Sequence, residues 1–180
     1  MLTTTRRTAL TLGLMLTTLA TCVWADQMPL SRVRGVDERS AALIDEGLWR
    51  SGTLQRMIEE VAASDVIVYV SRTALEGTLR GALRFVGAGA GGGRYLLIEL
   101  NDDLGAGLDA PTDRVVGIAT LAHELQHALE VAEAADVQDL DAFEAFFSQV
   151  GTERRRDVVD TEAAQLVGEQ VYFEMTGRRR

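Results

Sequence analysis

Both histidines of this 180-residue chain fall inside one five-residue stretch, His123-Glu124-Leu125-Gln126-His127. Residues four apart on an α-helix lie on one face, one turn above the other. The segment 114–134 has helical apolar spacing, with Val115, Ile118, Leu121, Ala122, Leu125 and Leu129 on one stripe. The histidines form a second stripe beside it. A helix with two committed faces constrains the fold: one face needs a core, the other a site that uses imidazoles. Two neutral imidazoles aimed at one point suit a zinc ion, at metal–nitrogen distances of about 2.0–2.1 Å. Glu124 lies about 100° around the helix from His123. It is off the line to such an ion but within reach of a water held there.

The rest of the chain is consistent with one globular domain. Hydrophobic residues make up 47% and the net charge is −9, which argues for a packed core and against nucleic acid as a partner. Residues 1–25 have the layout of an export signal, and residues 26–180 form the expected domain. Arg6 and Arg7 give a charged start, an apolar run follows, and Val23-Trp24-Ala25 precedes the expected cut. Thr5-Arg6-Arg7 resembles a twin-arginine signal, and Leu19-Ala20-Thr21-Cys22 resembles a lipoprotein box with threonine in an unfavourable place. Periplasmic or secreted placement is therefore expected, with lipid anchoring at Cys22 the weaker alternative and no stable membrane span after the signal is removed. Cys22 is the single cysteine, so the exported chain has neither a disulfide nor a cysteine-type zinc site.

Along the chain, 37–63 has helical spacing interrupted by Gly47 and Gly52, which predicts two helices, with Ser51 or Thr53 capping the second and Trp49 filling core between them. Residues 65–71, 79–86 and 94–100 read as strands, the last two joined as a hairpin through the glycine-rich 87–93. Pro111 with Thr112 or Asp113 delimits the histidine helix. A short helix near 140–150 and a long one over 157–175 follow, the latter ended by Gly177. Helices, an antiparallel sheet, then helices make an α+β domain.

A catalytic zinc keeps three protein ligands and one open position. No histidine remains, so the third ligand must be a carboxylate. Glu130, Glu133, Glu144, Glu153, Asp157, Asp160 and Glu162 are the downstream candidates. Glu130 sits beyond His127 and reads as a solvated carboxylate. Glu133 occupies the third-ligand place of the metzincin pattern, but the glycine that pattern needs is replaced by Glu130. Glu162 fits best. It stands beside the small Ala163 and Ala164, on a stripe with Val158, Gln165, Glu169 and Tyr172.

His-Glu-x-x-His on one helix with a glutamate on a second resembles the gluzincin peptidases, over about 95–172. Small exported bacterial proteins with His-Glu-Leu-x-His and a late Glu-Thr-Glu-like segment are similar. The resemblance implies a small zincin-like domain whose C-terminal helix carries the third ligand. It implies one zinc per chain held by His123, His127 and Glu162, with Glu124 as general base and a peptide or protein as substrate. It also implies that the strand 94–100 is the edge that pairs with an extended substrate, and that a tyrosine, Tyr172, faces the developing oxyanion. Many gluzincins orient a histidine with an aspartate four residues after the third ligand. Leu166 stands there, and Gln165 is the available substitute. The expected function is an exported zinc-dependent hydrolase, a metallopeptidase. The alternatives are a non-catalytic metal-binding or structural envelope protein, a cell-wall amidase using the same site, and a metal-free envelope protein.

Overall fold

A computed structural model describes residues 31–103, 107–155 and 158–177. The expected export signal, with Arg6, Arg7 and Cys22, lies outside the described residues, as does Asp157. The elements in order are β1 (Val33–Gly35), α1 (Glu38–Arg50), α2 (Gly52–Ala63), β2 (Val66–Thr73), β3 (Gly81–Ala88), β4 (Arg94–Asn101), α3 (Pro111–Glu133), α4 (Leu140–Val150), β5 (Thr152–Arg155), β6 (Val158–Asp160) and α5 (Glu162–Thr176). The described residues form an α+β domain with five helices and a four-stranded mixed sheet. Among them, no helix is long and apolar enough to cross a membrane.

The sheet order is β1-β2-β4-β3. β1, β2 and β4 run parallel, and only β3 is antiparallel, paired with β4. This corrects the expectation of an antiparallel sheet. The β3–β4 hairpin slots its second strand beside β2, in register from Val66↔Arg94 to Thr73↔Asn101. That leaves β3 on the outside, so the edge strand is β3 and not 94–100. Three-residue β1 is too short to show a pattern in the sequence.

One sheet face carries Val66, Val68 and Val70 beside Leu96, Ile98 and Leu100, all fully buried. Leu43 and Ile44 of α1, Leu54, Met57 and Val61 of α2, and Ile118, Leu121 and Leu125 of α3 join them in one core. Asp37 caps α1, and Ser51 ends α1 while capping α2. Gly47 does not break α1. A side chain there would collide with Leu54 and come within 3.0 Å of Ile118 Cγ2, so the glycine lets three helices meet. Trp49 is 88% exposed and does not fill the core as expected. It projects off the stripe set by Leu43, Ile44 and Gly47.

Two further boundaries differ. Pro111 opens α3, whose N-cap is Ala110 with no side-chain cap, so Thr112 and Asp113 lie inside the helix. The helix expected over 157–175 starts later. β5 and β6 form an antiparallel hairpin first, as suits the β-branched Val158 and Val159. Thr161 then caps α5, its hydroxyl accepting from the Ala164 N–H at 3.2 Å. Gly177, at φ +67°, ends that helix.

Arg94 is a charge sealed in the interior, 1% exposed. Its guanidinium donates to Asp65 Oδ1 and Oδ2 at 2.6 and 2.8 Å, and to the carbonyls of Val131, Ala132 and Ala134 at 2.7–3.0 Å. It thus ties the start of β4 to the end of β2's leading turn and to the C-terminus of α3, satisfying carbonyls the helix cannot. Hydrogen bonding to Arg94 holds the Asp65 carboxyl below its usual range. Arg94→Ala should strand these buried carbonyls and lower stability by about 3 kcal/mol, read as the shift in urea midpoint at unchanged slope.

At the other end of the core, Glu174 of α5 accepts from Ser51 Oγ at 2.6 Å, Thr53 Oγ1 at 2.6 Å and the Thr53 N–H at 3.2 Å. Burial opposes ionisation, but these bonds and one from Gln170 outweigh it and push the carboxyl down to about 2. A depressed folded-state value means stability that is present above 4.5 and lost as pH falls towards 2. Glu174→Gln should therefore lower stability at neutral pH and flatten the loss of melting temperature across that acid range.

Candidate metal centre

The histidines reach the site because α3 does two jobs. Ile118, Leu121, Ala122, Leu125 and Leu129 bury one side of it, and the other side floors an open cleft of about 1430 Å³. The edge strand β3 and the turn before it form one wall (Leu79, Gly81, Leu83). α4 forms a second (Phe143, Phe147) and α5 a third (Gln165, Gly168, Tyr172).

His123, His127 and Asp160 converge there. One ligand-type atom from each lies within 4.8 Å of the others, a group that could hold a metal ion. Asp160 Oδ1 is 3.3 Å from His123 Nε2 and 3.8 Å from His127 Nε2. The donor set fits a cation because the far side of the His127 ring is engaged elsewhere. His127 Nδ1 meets Glu130 Oε2 at 2.9 Å, and His123 is hydrogen-bonded to the backbone of Ala164. With Nδ1 donating to Glu130, His127 presents the lone pair of Nε2 to the site, beside His123 Nε2. Gln165 Nε2 donates to Asp160 Oδ2 at 3.1 Å, which turns Oδ1 towards the imidazoles.

Close helix packing makes this possible. Ala164 is fully buried, and a Cβ on Gly168 would sit 3.3 Å from His123 Cβ and from the Ala119 carbonyl oxygen. Small residues on one stripe of α5 bring its backbone against the histidine helix. The β5–β6 hairpin then delivers Asp160, the last residue of β6, to the ends of the rings.

Glu124 is the third member of the motif and is 7% exposed on the cleft floor. Burial pushes its carboxyl up to about 7. The neighbouring His127 charge opposes that rise, and the Asp160 charge adds to it. Space for it depends on Gly81, the first residue of β3. A Cβ there would lie 2.8 Å from Glu124 Oε1 and 2.6 Å from Thr120 Cγ2. In the metal-free chain burial draws His123 down, the Asp160 charge opposing it. For His127 burial acts the same way, but its bond to Glu130 and the charges of Glu124, Glu130 and Asp160 raise it overall.

The sequence-derived third ligand is placed elsewhere. Glu162 is exposed, in the first turn of α5, and Asp160, two residues earlier, stands with the histidines instead. Glu133 is exposed. Glu130 is a half-buried partner of His127 rather than a solvated carboxylate; the i,i+3 spacing from His127 was its only signal in the sequence. Glu144 lines the α4 wall. Tyr172 lines the cleft on the turn after Gly168. Its ring belongs to a helix whose side chains lean towards the N-terminus, the direction of the histidines. Phe147 was missed altogether; its ring stands edge-on to His127 at a centroid distance of 5.3 Å.

Compared with known protein families, with curated proteins and with solved structures, the chain matches none. Function must therefore be argued from the site.

The two carboxylates make opposite predictions. Asp160→Ala should remove most bound metal, measured by mass spectrometry of the purified protein, whereas Glu162→Ala should retain it. Metal lost from Glu162→Ala alone would return the third-ligand role to that residue.

Proposed function

We propose that this chain is an exported zinc-dependent hydrolase of zincin type that cleaves peptide bonds. The observation that carries this reading is the convergence of two imidazole Nε2 atoms and one carboxylate oxygen beside a buried glutamate, at the floor of an open cleft. Tetrahedral zinc with bonds of about 2.0–2.1 Å has ligands roughly 3.3 Å apart. The His123 and His127 separations from Asp160, 3.3 and 3.8 Å, fall close to that. A bound zinc would supply Lewis acidity for a carbonyl oxygen and for a water. His123, His127 and Asp160 are the residues that would hold it.

Glu124 accepts the proton released by the attacking water and hands it to the leaving amine. Burial lifts this carboxyl to about 7, and the charge of a bound cation would draw it back towards the ionised form that a base needs. Gly81, bare of a side chain, lets the backbone of β3 pass directly over that carboxylate. The edge strand runs along the cleft wall with one side unpaired by the sheet, which suits an extended peptide added as a further strand. Tyr172, the tyrosine among the residues lining the cleft, would donate to a developing oxyanion.

The test is zinc content and turnover of a mixed peptide library, for wild type and Glu124→Gln. About one zinc per chain in both, with turnover lowered at least ~100-fold in the variant, is the expected result. Equal turnover would remove Glu124 from the chemistry. Zinc without turnover in either protein would favour a non-catalytic metal-binding envelope protein, and no zinc in wild type would sink both readings.

A further inference from the structure

We propose that Glu130 is a positioning residue that couples the metal ligand His127 to the first turn of α5 through the Thr161 hydroxyl, so that a bound cation and the docking of that helix reinforce each other. The proposal rests on the metal-centre reading above.

A glutamate three residues after a histidine on one helix ordinarily makes a local pair of little consequence. Here both carboxylate oxygens are committed, and to different elements. Oε2 holds His127 Nδ1 at 2.9 Å, while Oε1 accepts from Thr161 Oγ1 at 2.7 Å. Gln126 adds a further hydrogen bond to the same side chain. The Thr161 hydroxyl is equally committed: it donates to Glu130 and accepts from the Ala164 N–H as the N-cap of α5.

The covalent chain closes the circuit. Thr161 follows Asp160, whose Oδ1 faces the opposite nitrogen of the same imidazole at 3.8 Å. The path runs from His127 Nδ1 through Glu130 and Thr161 to Asp160 and back to His127 Nε2. A cation held by Asp160 and the ring would close it. Ala164, whose N–H closes the cap, also provides the backbone partner of His123. The first turn of α5 thus meets both rings, that of His127 through Glu130 and that of His123 through the Ala164 backbone. Fixing those rings before the cation arrives removes ordering cost from binding. By reciprocity, a bound cation must favour the capped, docked state of α5.

The experiment is a competition between the full chain and a chromophoric chelator for zinc, and separately for cobalt. It is paired with hydrogen exchange at the amides of residues 161–165 with and without zinc. Zinc should slow that exchange in wild type. Glu130→Gln should weaken zinc about 10–100-fold. Thr161→Val should weaken it about 10-fold although Thr161 touches no cation, and Thr161→Ser should restore it. The double variant should bind no more weakly than Glu130→Gln alone, because the two act through one path.

A purely structural cap predicts something else: Thr161→Val melts lower yet binds zinc as tightly as wild type. That result, or fully additive losses in the double variant, would overturn the proposal and leave the metal centre standing. Failure of wild type to bind either metal would overturn both.

Discussion

A sealed guanidinium sets where the histidine helix ends. Arg94 reaches from the first residue of β4 into the C-terminal carbonyls of α3, and Asp65 balances its charge from the turn before β2. Sheet and helix are therefore locked at one corner, and everything the cleft needs is measured from it. His127 lies one turn before the carbonyls Arg94 binds, so its ring inherits a fixed distance from the sheet. The opposite corner is held by Glu174, which caps α2 from α5. Between these two polar anchors Val171 and Met175 of α5 join the core, while Ala164 and Gly168 stand where α5 comes closest to the histidine helix. That lets backbone approach imidazole.

The parts visible in the sequence are those with a strong local period. The apolar stripe of α3 and the histidine pair beside it fix a helix and its two faces. β2 and β4 stand out through runs of Val, Ile and Leu. The parts hidden were decided by partners far along the chain. Gly47 looked like a helix break because a missing side chain reads as weakness; here it is a contact surface for Leu54 and Ile118. The parallel pairing of β2 with β4 depends on which side of β2 the hairpin docks, and no residue in either strand records that.

Asp160 and Glu162 show the limit most clearly. In Asp160-Thr161-Glu162 the threonine is an N-cap, so the helix begins after it and the aspartate belongs to the preceding strand. A glutamate at the first helical position interacts favourably with the helix dipole while pointing into water. Reading the threonine as a cap points to Asp160, not Glu162, as the carboxylate beside the histidines. The chain beyond the histidines supplied that signal; the continuous helical spacing of 157–175 masked it. Glu130 was concealed differently, since its role requires knowing that Thr161 lies across from it.

α4 has no buried residue, yet Phe143 and Phe146 each stand edge-on to Phe147, and Phe143 also meets Phe85. These rings are half-covered, and Phe143 and Phe147 line the wall nearest His127. The cleft therefore presents apolar surface that the fold itself does not need exposed. Any ligand that covers it will release water. Its association should carry a negative heat-capacity change, a calorimetric signature set by α4 rather than by the chemistry at the cleft floor.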